Sequence, residues 1–263
     1  MKLAGVVLAL IGGFTAGCMP ETELEYQYVT DGVIVPTTTQ MARDLAFDVD
    51  GDGTTDNQIG VVISLLDLQL QPYVDDYVNG GELLLLHSVF ASNLEDGGAT
   101  WRLYLGEDVP APDFGGTGWF PIDPESPRDA VLKGSISGRR LHVSARQMPL
   151  YFRLGAGQPM LALHPFQAHI EATMYDDGCI DGKIGGANTS WEVNEQIIPA
   201  IAHLIGTSAD NLRTNTIMQN LVAPDVDLFD GEELRPNHDG VPDAVSFGLG
   251  LTCVSAAFDR PVE

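Results

Sequence analysis

The chain reads as an α+β protein of mostly antiparallel β layers, sandwich-like, with a few helices. Seven short apolar runs between residues 82 and 184 are separated by Gly, Pro and Asp, the pattern of strands joined by turns. Apolar residues recur at helical spacing only from Ile59 to Val78 and again across 190–221. The composition, 29 Gly and 16 Pro in 263 residues of which 44% are hydrophobic, suits a loop-rich chain with enough apolar surface to fold. Charge excludes some partners. With 13 Lys+Arg against 37 Asp+Glu, a net charge of −24 repels nucleic acid and anionic lipid surfaces. The acid is 24 Asp to 13 Glu, favouring turns and cation loops over helix interiors.

The N-terminus predicts export. Lys2, the apolar run Leu3–Phe14 and the small residues after it describe a secretory signal over 1–17. That run is shorter than the roughly 20 residues a spanning helix needs. Thr15-Ala16-Gly17-Cys18 resembles the bacterial lipobox, whose cysteine is acylated and becomes the first mature residue. It departs from that pattern at Thr15, where Leu is commoner, which leaves ordinary cleavage and a soluble periplasmic or secreted product as the alternative. Of the three cysteines, Cys179 and Cys253 are expected to pair in an oxidising compartment, leaving Cys18 for the lipid. Met19, in place of Asp, is the lipoprotein pattern for the outer membrane, facing periplasm or cell surface. Residues 18–39 read as a polar, acidic tether, with Tyr26–Val35 alternatively an edge strand, and 40–259 as a single domain.

The sharpest motif is Asp48-Val-Asp50-Gly-Asp52-Gly53-Thr-Thr-Asp56-Asn57. Alternate aspartates turn carboxylates into a tight loop, and Gly53 permits the sharp bend; oxygen ligands at this density suit Ca²⁺. Asp48, Asp50, Asp52 and Asp56 fall at positions 1, 3, 5 and 9, while position 12, where an EF-hand carries a bidentate Glu, is Ile59. The loop thus resembles those of EF-hands, dockerins and thrombospondin type 3 repeats without the closing ligand. The plainer alternative is an exposed turn capping the next helix. That helix carries Ile59, Val62, Ile63, Leu66, Leu70, Val74 and Val78, with Asp56 or Asn57 as N-cap, a break or kink at Pro72 and an end at Asn79-Gly80-Gly81.

Strands are expected at 82–92, 99–105, 130–137, 140–145, 150–154, 160–164 and 169–175, and a last one over 244–258. Helices are expected at 190–205 and 209–221. Between them and the final strand lies a second acidic segment with Asp225, Asp227, Asn237, Asp239 and Asp243. Arg235 stands where its first ligand would be, so this segment is an independent site, a completion of the first, or a solvated turn.

The lipobox-like start, the Asp-x-Asp-x-Asp-Gly loop, Gly182-Lys-Ile-Gly185-Gly186 and Asp239-Gly-x-x-Asp243 together resemble envelope lipoproteins of the myxobacterial type. The resemblance implies location and calcium, and no activity. No nucleophile elbow, His-Glu-x-x-His, P-loop or dinucleotide fingerprint is present, and the six histidines form no metal spacing. Phe114, Trp119 and Phe120, on a Pro-Gly-rich stretch, are where a carbohydrate or peptide ligand surface is expected. The function expected is an exported, lipid-anchored, calcium-binding surface or ligand-binding module. The alternatives are an exported hydrolase with a structural calcium, or a structural component of an envelope complex.

Overall fold

Alternation of buried and exposed residues builds a closed barrel here, not two stacked sheets. The computed structural model describes residues 23–65, 70–153, 160–216, 219 and 223–259; the expected signal segment 1–17 and Cys18 lie outside them. Strand β1 (Leu24–Ile34) leads through α1 (Thr39–Asp44) and the acidic loop to α2 (Gln58–Leu65) and α3 (Leu70–Gly80). Then come β2 (Leu85–Ala91), β3 (Asp96–Leu105), β4 (Val131–Ser137), β5 (Arg140–Gln147), a small hairpin of β6 (Leu150–Phe152) and β7 (Leu161–Leu163), β8 (Phe166–Tyr175) and β9 (Gly178–Thr189). A helical stretch follows: α4 (Ser190–Glu192), a π-helical turn (Val193–Ile197), α5 (Ile198–Leu204) and α6 (Ala209–Arg213). The chain finishes with a second hairpin, β10 (Phe229–Asp230) and β11 (Glu233–Leu234), and with β12 (Ala244–Ser255).

Eight strands close in the order β1-β12-β9-β8-β5-β4-β3-β2, all neighbours antiparallel. The sandwich-like expectation is therefore corrected. A sandwich and a barrel share the same period-2 pattern, and what distinguishes them is whether the sheet returns on itself. Here β1 makes the return, pairing Tyr28 with His87 of β2 and with Ser255 of β12. Leu24–Ile34 is thus neither tether nor edge strand. The glycine-rich stretch 178–189, which the sequence assigned to no element, is the long strand β9. Pro72, expected to break or kink the helix, lies inside the first turn of α3; residues 66–69 of the expected helix over 59–78, and 217, 218 and 220–222 of that over 209–221, lie outside the described residues. The stretch 59–78 is described as two helices, α2 and α3, and the helix expected over 209–221 is described only as α6.

Buried alternate residues fill the barrel: Ala168, Ile170, Ala172 and Met174 of β8 are all fully buried, as are Trp101 of β3 and Leu132 of β4. Among them sits one buried histidine. His87 receives the Trp101 indole N–H on Nδ1 at 3.2 Å, and its Nε2 lies 2.6 Å from Thr30 Oγ1. Cys179 and Cys253, directly opposite in the β9–β12 register, form the expected disulfide. Helices α2, α3 and α5 with the β6–β7 hairpin bring apolar side chains together over the end of the barrel where β9 finishes and β12 begins.

Candidate metal centre

The acidic loop is held against the outer wall of that same end. Phe47 and Asp56 pair across its base, with Asp56 N–H donating to Phe47 C=O at 2.7 Å. The wall is cut away to receive it. A Cβ on Gly248 would meet Leu45 C=O at 2.1 Å, and one on Gly185 would meet the Phe47 ring at 2.5 Å. Glycines of β9 and β12 are thus the seats of the segment leading into the loop. Behind it, Asn57 caps α2 by accepting from Gly60 N–H at 2.9 Å. Its amide also donates to Ala42 C=O and Gly248 C=O and accepts from Gly248 N–H at 2.8 Å, tying α1, α2 and β12 together.

Within the loop the backbone folds around its own carboxylates. Asp48 accepts from Gly51 N–H at 2.8 Å and from Gly53 N–H at 3.2 Å, Asp50 from Asp52 N–H, and Asp52 from Thr54 N–H. Gly51 and Gly53 hold φ of 80° and 88°, the left-handed region open to glycine. As a result one carboxylate oxygen from each of Asp48, Asp50 and Asp52 lies within 4.8 Å of the others. Among the described residues this is the one group of three that could hold a metal ion, and no histidine joins it.

The second acidic segment reaches the loop through two residues. Asp227 N–H donates to Asp50 Oδ2 at 3.1 Å, while Asp227 Oδ2 accepts from Asp239 N–H and Gly240 N–H. Its other oxygen, Oδ1, is buried without a hydrogen-bond partner among the described residues. Asp225 lies close enough to raise Asp56. Burial first, and then the carboxylates of Asp225, Asp50, Asp52 and Asp48, push the Asp56 carboxyl up to about 7. Burial also pushes Asp225 up, against hydrogen bonds from Ser246. Asn237, Asp239 and Asp243 do not join the triad. Asp243 is engaged by Leu228 N–H and Phe229 N–H, Asp239 by Val241 N–H, and Asn237 donates its backbone N–H to Asp227 C=O. They shape the turn that carries Asp227. Asp225 and Asp227, offered by the sequence as possible extra ligands to the first loop, lie beside it in space, Asp227 bonding Asp50 across 177 positions.

A loop wired in this way offers a hard cation several carboxylate oxygens and no nitrogen or sulfur, the donor set of Ca²⁺ or Mg²⁺ chemistry. The aromatic surface expected on the opposite end is not assembled as a platform. Phe120 is buried and stacks on the half-buried Phe114 at 6.2 Å, while Trp119 stands alone, 56% exposed, beside Arg128 and Asp259. The histidines are likewise dispersed. His164 lies 3.5 Å from Glu192, His142 lies 3.2 Å from Glu171, and His169 stacks on Phe47. No family model, no curated protein and no solved structure matches the chain.

Proposed function

We propose that this protein is an exported calcium-binding module, lipid-anchored at the envelope, in which the ion fastens the loop 48–56 and the segment 225–240 to one end of the barrel. The observation that carries the reading is the convergence of Asp48, Asp50 and Asp52 within 4.8 Å, with the buried Asp227 donating to Asp50 beside them. Carboxylates so close repel one another, and a divalent cation converts that repulsion into attraction. Asp225 and Asp227 stand in for the ligand that Ile59 cannot supply at the twelfth loop position. The six- to eight-oxygen shell and irregular geometry of Ca²⁺ fit a loop of this kind better than the strict octahedron of Mg²⁺. The N-terminal signal pattern, Cys18 and the Cys179–Cys253 disulfide support export. The ion's role in this reading is structural, since α2 starts directly behind the loop.

The test is thermal unfolding in EDTA and then in rising Ca²⁺ or Mg²⁺, with an Asp50→Ala/Asp52→Ala variant alongside. A native-state ligand at about 100 times its Kd adds roughly 2.7 kcal/mol. The expected result is a rise of that order with Ca²⁺, smaller with Mg²⁺ and absent in the variant. Identical unfolding in EDTA and in millimolar Ca²⁺ would reduce the loop to an acidic turn.

A further inference from the structure

The outer wall of the barrel holds cations that the protein itself does not neutralise. With 37 Asp+Glu for 13 Lys+Arg, every cation could have a carboxylate beside it. Yet the adjacent strands β4, β5 and β8 contain a single acid, Glu171. That acid is already engaged, lying 3.1 Å from Arg140, 3.2 Å from His142 and 3.5 Å from Lys183. Lys133 of β4 and Arg146 of β5 are exposed, and no carboxylate among the described residues pairs with either. The register gathers these groups. Ser144 stands opposite Lys133 on one side and His169 on the other, with His142 and Arg146 two positions away along β5. Directly opposed side chains start about 5 Å apart, and alternate residues of one strand about 6.6 Å. An exposed serine hydroxyl is thus ringed by two imidazoles, an ammonium and a guanidinium.

We propose that this wall binds a linear anionic polysaccharide, its sulfate or carboxylate groups lying along β5 from Arg146 to Arg140. That row is six residues long, about 20 Å, on the convex outside of the barrel. Sites for small molecules are concave, so an open row suits an extended ligand held at several points. Charge complementarity sets the sign of the ligand, and the rest of the molecule sets its width. Salt screens charges beyond about 8–10 Å, so a narrow chain meets these cations and little of the acid elsewhere. A membrane or a nucleic-acid duplex is wider than the row and would face the remainder of a surface of net charge −24. Asp48 of the acidic loop is near enough to act on His169, so the unpaired Lys133 and Arg146 dominate the contact. Ser135 opposite His142, and Ser144, offer hydroxyls to those of the sugar.

The test is fluorescence anisotropy with labelled oligosaccharides of dextran sulfate and of polygalacturonate, and unsulfated dextran as control, at low and at physiological salt. At least one acidic glycan is expected to bind and to weaken as salt rises, and dextran is expected not to bind. Lys133→Ala/Arg146→Ala should weaken that binding about fivefold to tenfold, from the modest worth of each exposed pair. Arg128→Ala/Arg213→Ala removes the same charge away from these strands, before β4 and in α6, and should leave the affinity unchanged. Failure of both acidic glycans to bind would overturn the proposal, and so would equal weakening by the two double variants. Tighter binding of phosphatidylglycerol vesicles or single-stranded DNA than of either glycan would overturn it too. The comparison of ligands on the unsubstituted protein decides the matter even where a variant does not fold.

Discussion

Acid should loosen this barrel from its inside, through His87. The ring is 1% exposed, and Trp101 donates its indole N–H to Nδ1 at 3.2 Å. Nδ1 is therefore an acceptor, and the neutral ring carries its proton on Nε2, toward Thr30 Oγ1 at 2.6 Å. A second proton would set two donors against each other at Nδ1 and leave a charge in an apolar interior. Burial accordingly pushes the pKa from its ordinary 6.5 down to about 3. The unfolded chain binds that proton first, so the stabilisation is complete above pH 6.5 and is lost as pH falls from there toward 3. The limiting slope from one such group is about 1.4 kcal/mol per pH unit, so an excursion from pH 6.5 to 4.5 removes roughly 2 kcal/mol. That is a large share of a typical total of about 5–15 kcal/mol. The assay is urea unfolding at several pH values between 7 and 4 for the native protein and for His87→Gln, which keeps a donor and an acceptor but does not titrate. The carboxylates titrate in both proteins, so the difference between the two curves isolates the histidine. It should widen in favour of the variant by roughly 1 kcal/mol or more per unit of acidification below pH 6. Parallel curves would refute the reasoning.

Asn57→Ala removes four backbone contacts that join α1, α2 and β12 and leaves buried partners unpaired. A loss of about 3–5 kcal/mol is expected, read from the urea midpoint, and a loss below about 1 kcal/mol would contradict the role given to it. Replacing Cys179 and Cys253 together with Ser opens a closure spanning 74 residues. The chain-entropy model puts its worth at on the order of 4 kcal/mol, and equilibrium unfolding of the double variant against the oxidised protein checks it.

What could be read from the sequence follows from what is local. The loop announced itself because its ligands are contiguous, and β2 to β5 because each alternates within a few residues and ends in a turn. Closure was out of reach, because it depends on β1 pairing with strands some 60 and 220 positions away, as Tyr28 does with His87 and Ser255. The strand β9 was hidden by glycines that are poor strand formers but leave room for Phe47 to lie against the wall. The second acidic segment could be read as a completion of the loop because its aspartates are clustered too, whereas the pairing of His87 with Trp101 and Thr30 is a product of tertiary packing. Nothing in the spacing of those three distinguishes them from ordinary core positions.

The pairing of β1 with β12 also gives the molecule a direction. Both described ends of the chain emerge side by side, with Gln27 hydrogen-bonded through its side chain to both backbone groups of Phe258. The acidic loop and the apolar cap of α2, α3 and α5 sit at the other end, where β12 begins at Ala244 and β9 finishes at Thr189. A β12 of 12 residues at about 3.3 Å each separates the two along the wall. Residues 23 and 259, where the described chain begins and ends, therefore both lie toward the pole away from the ion loop.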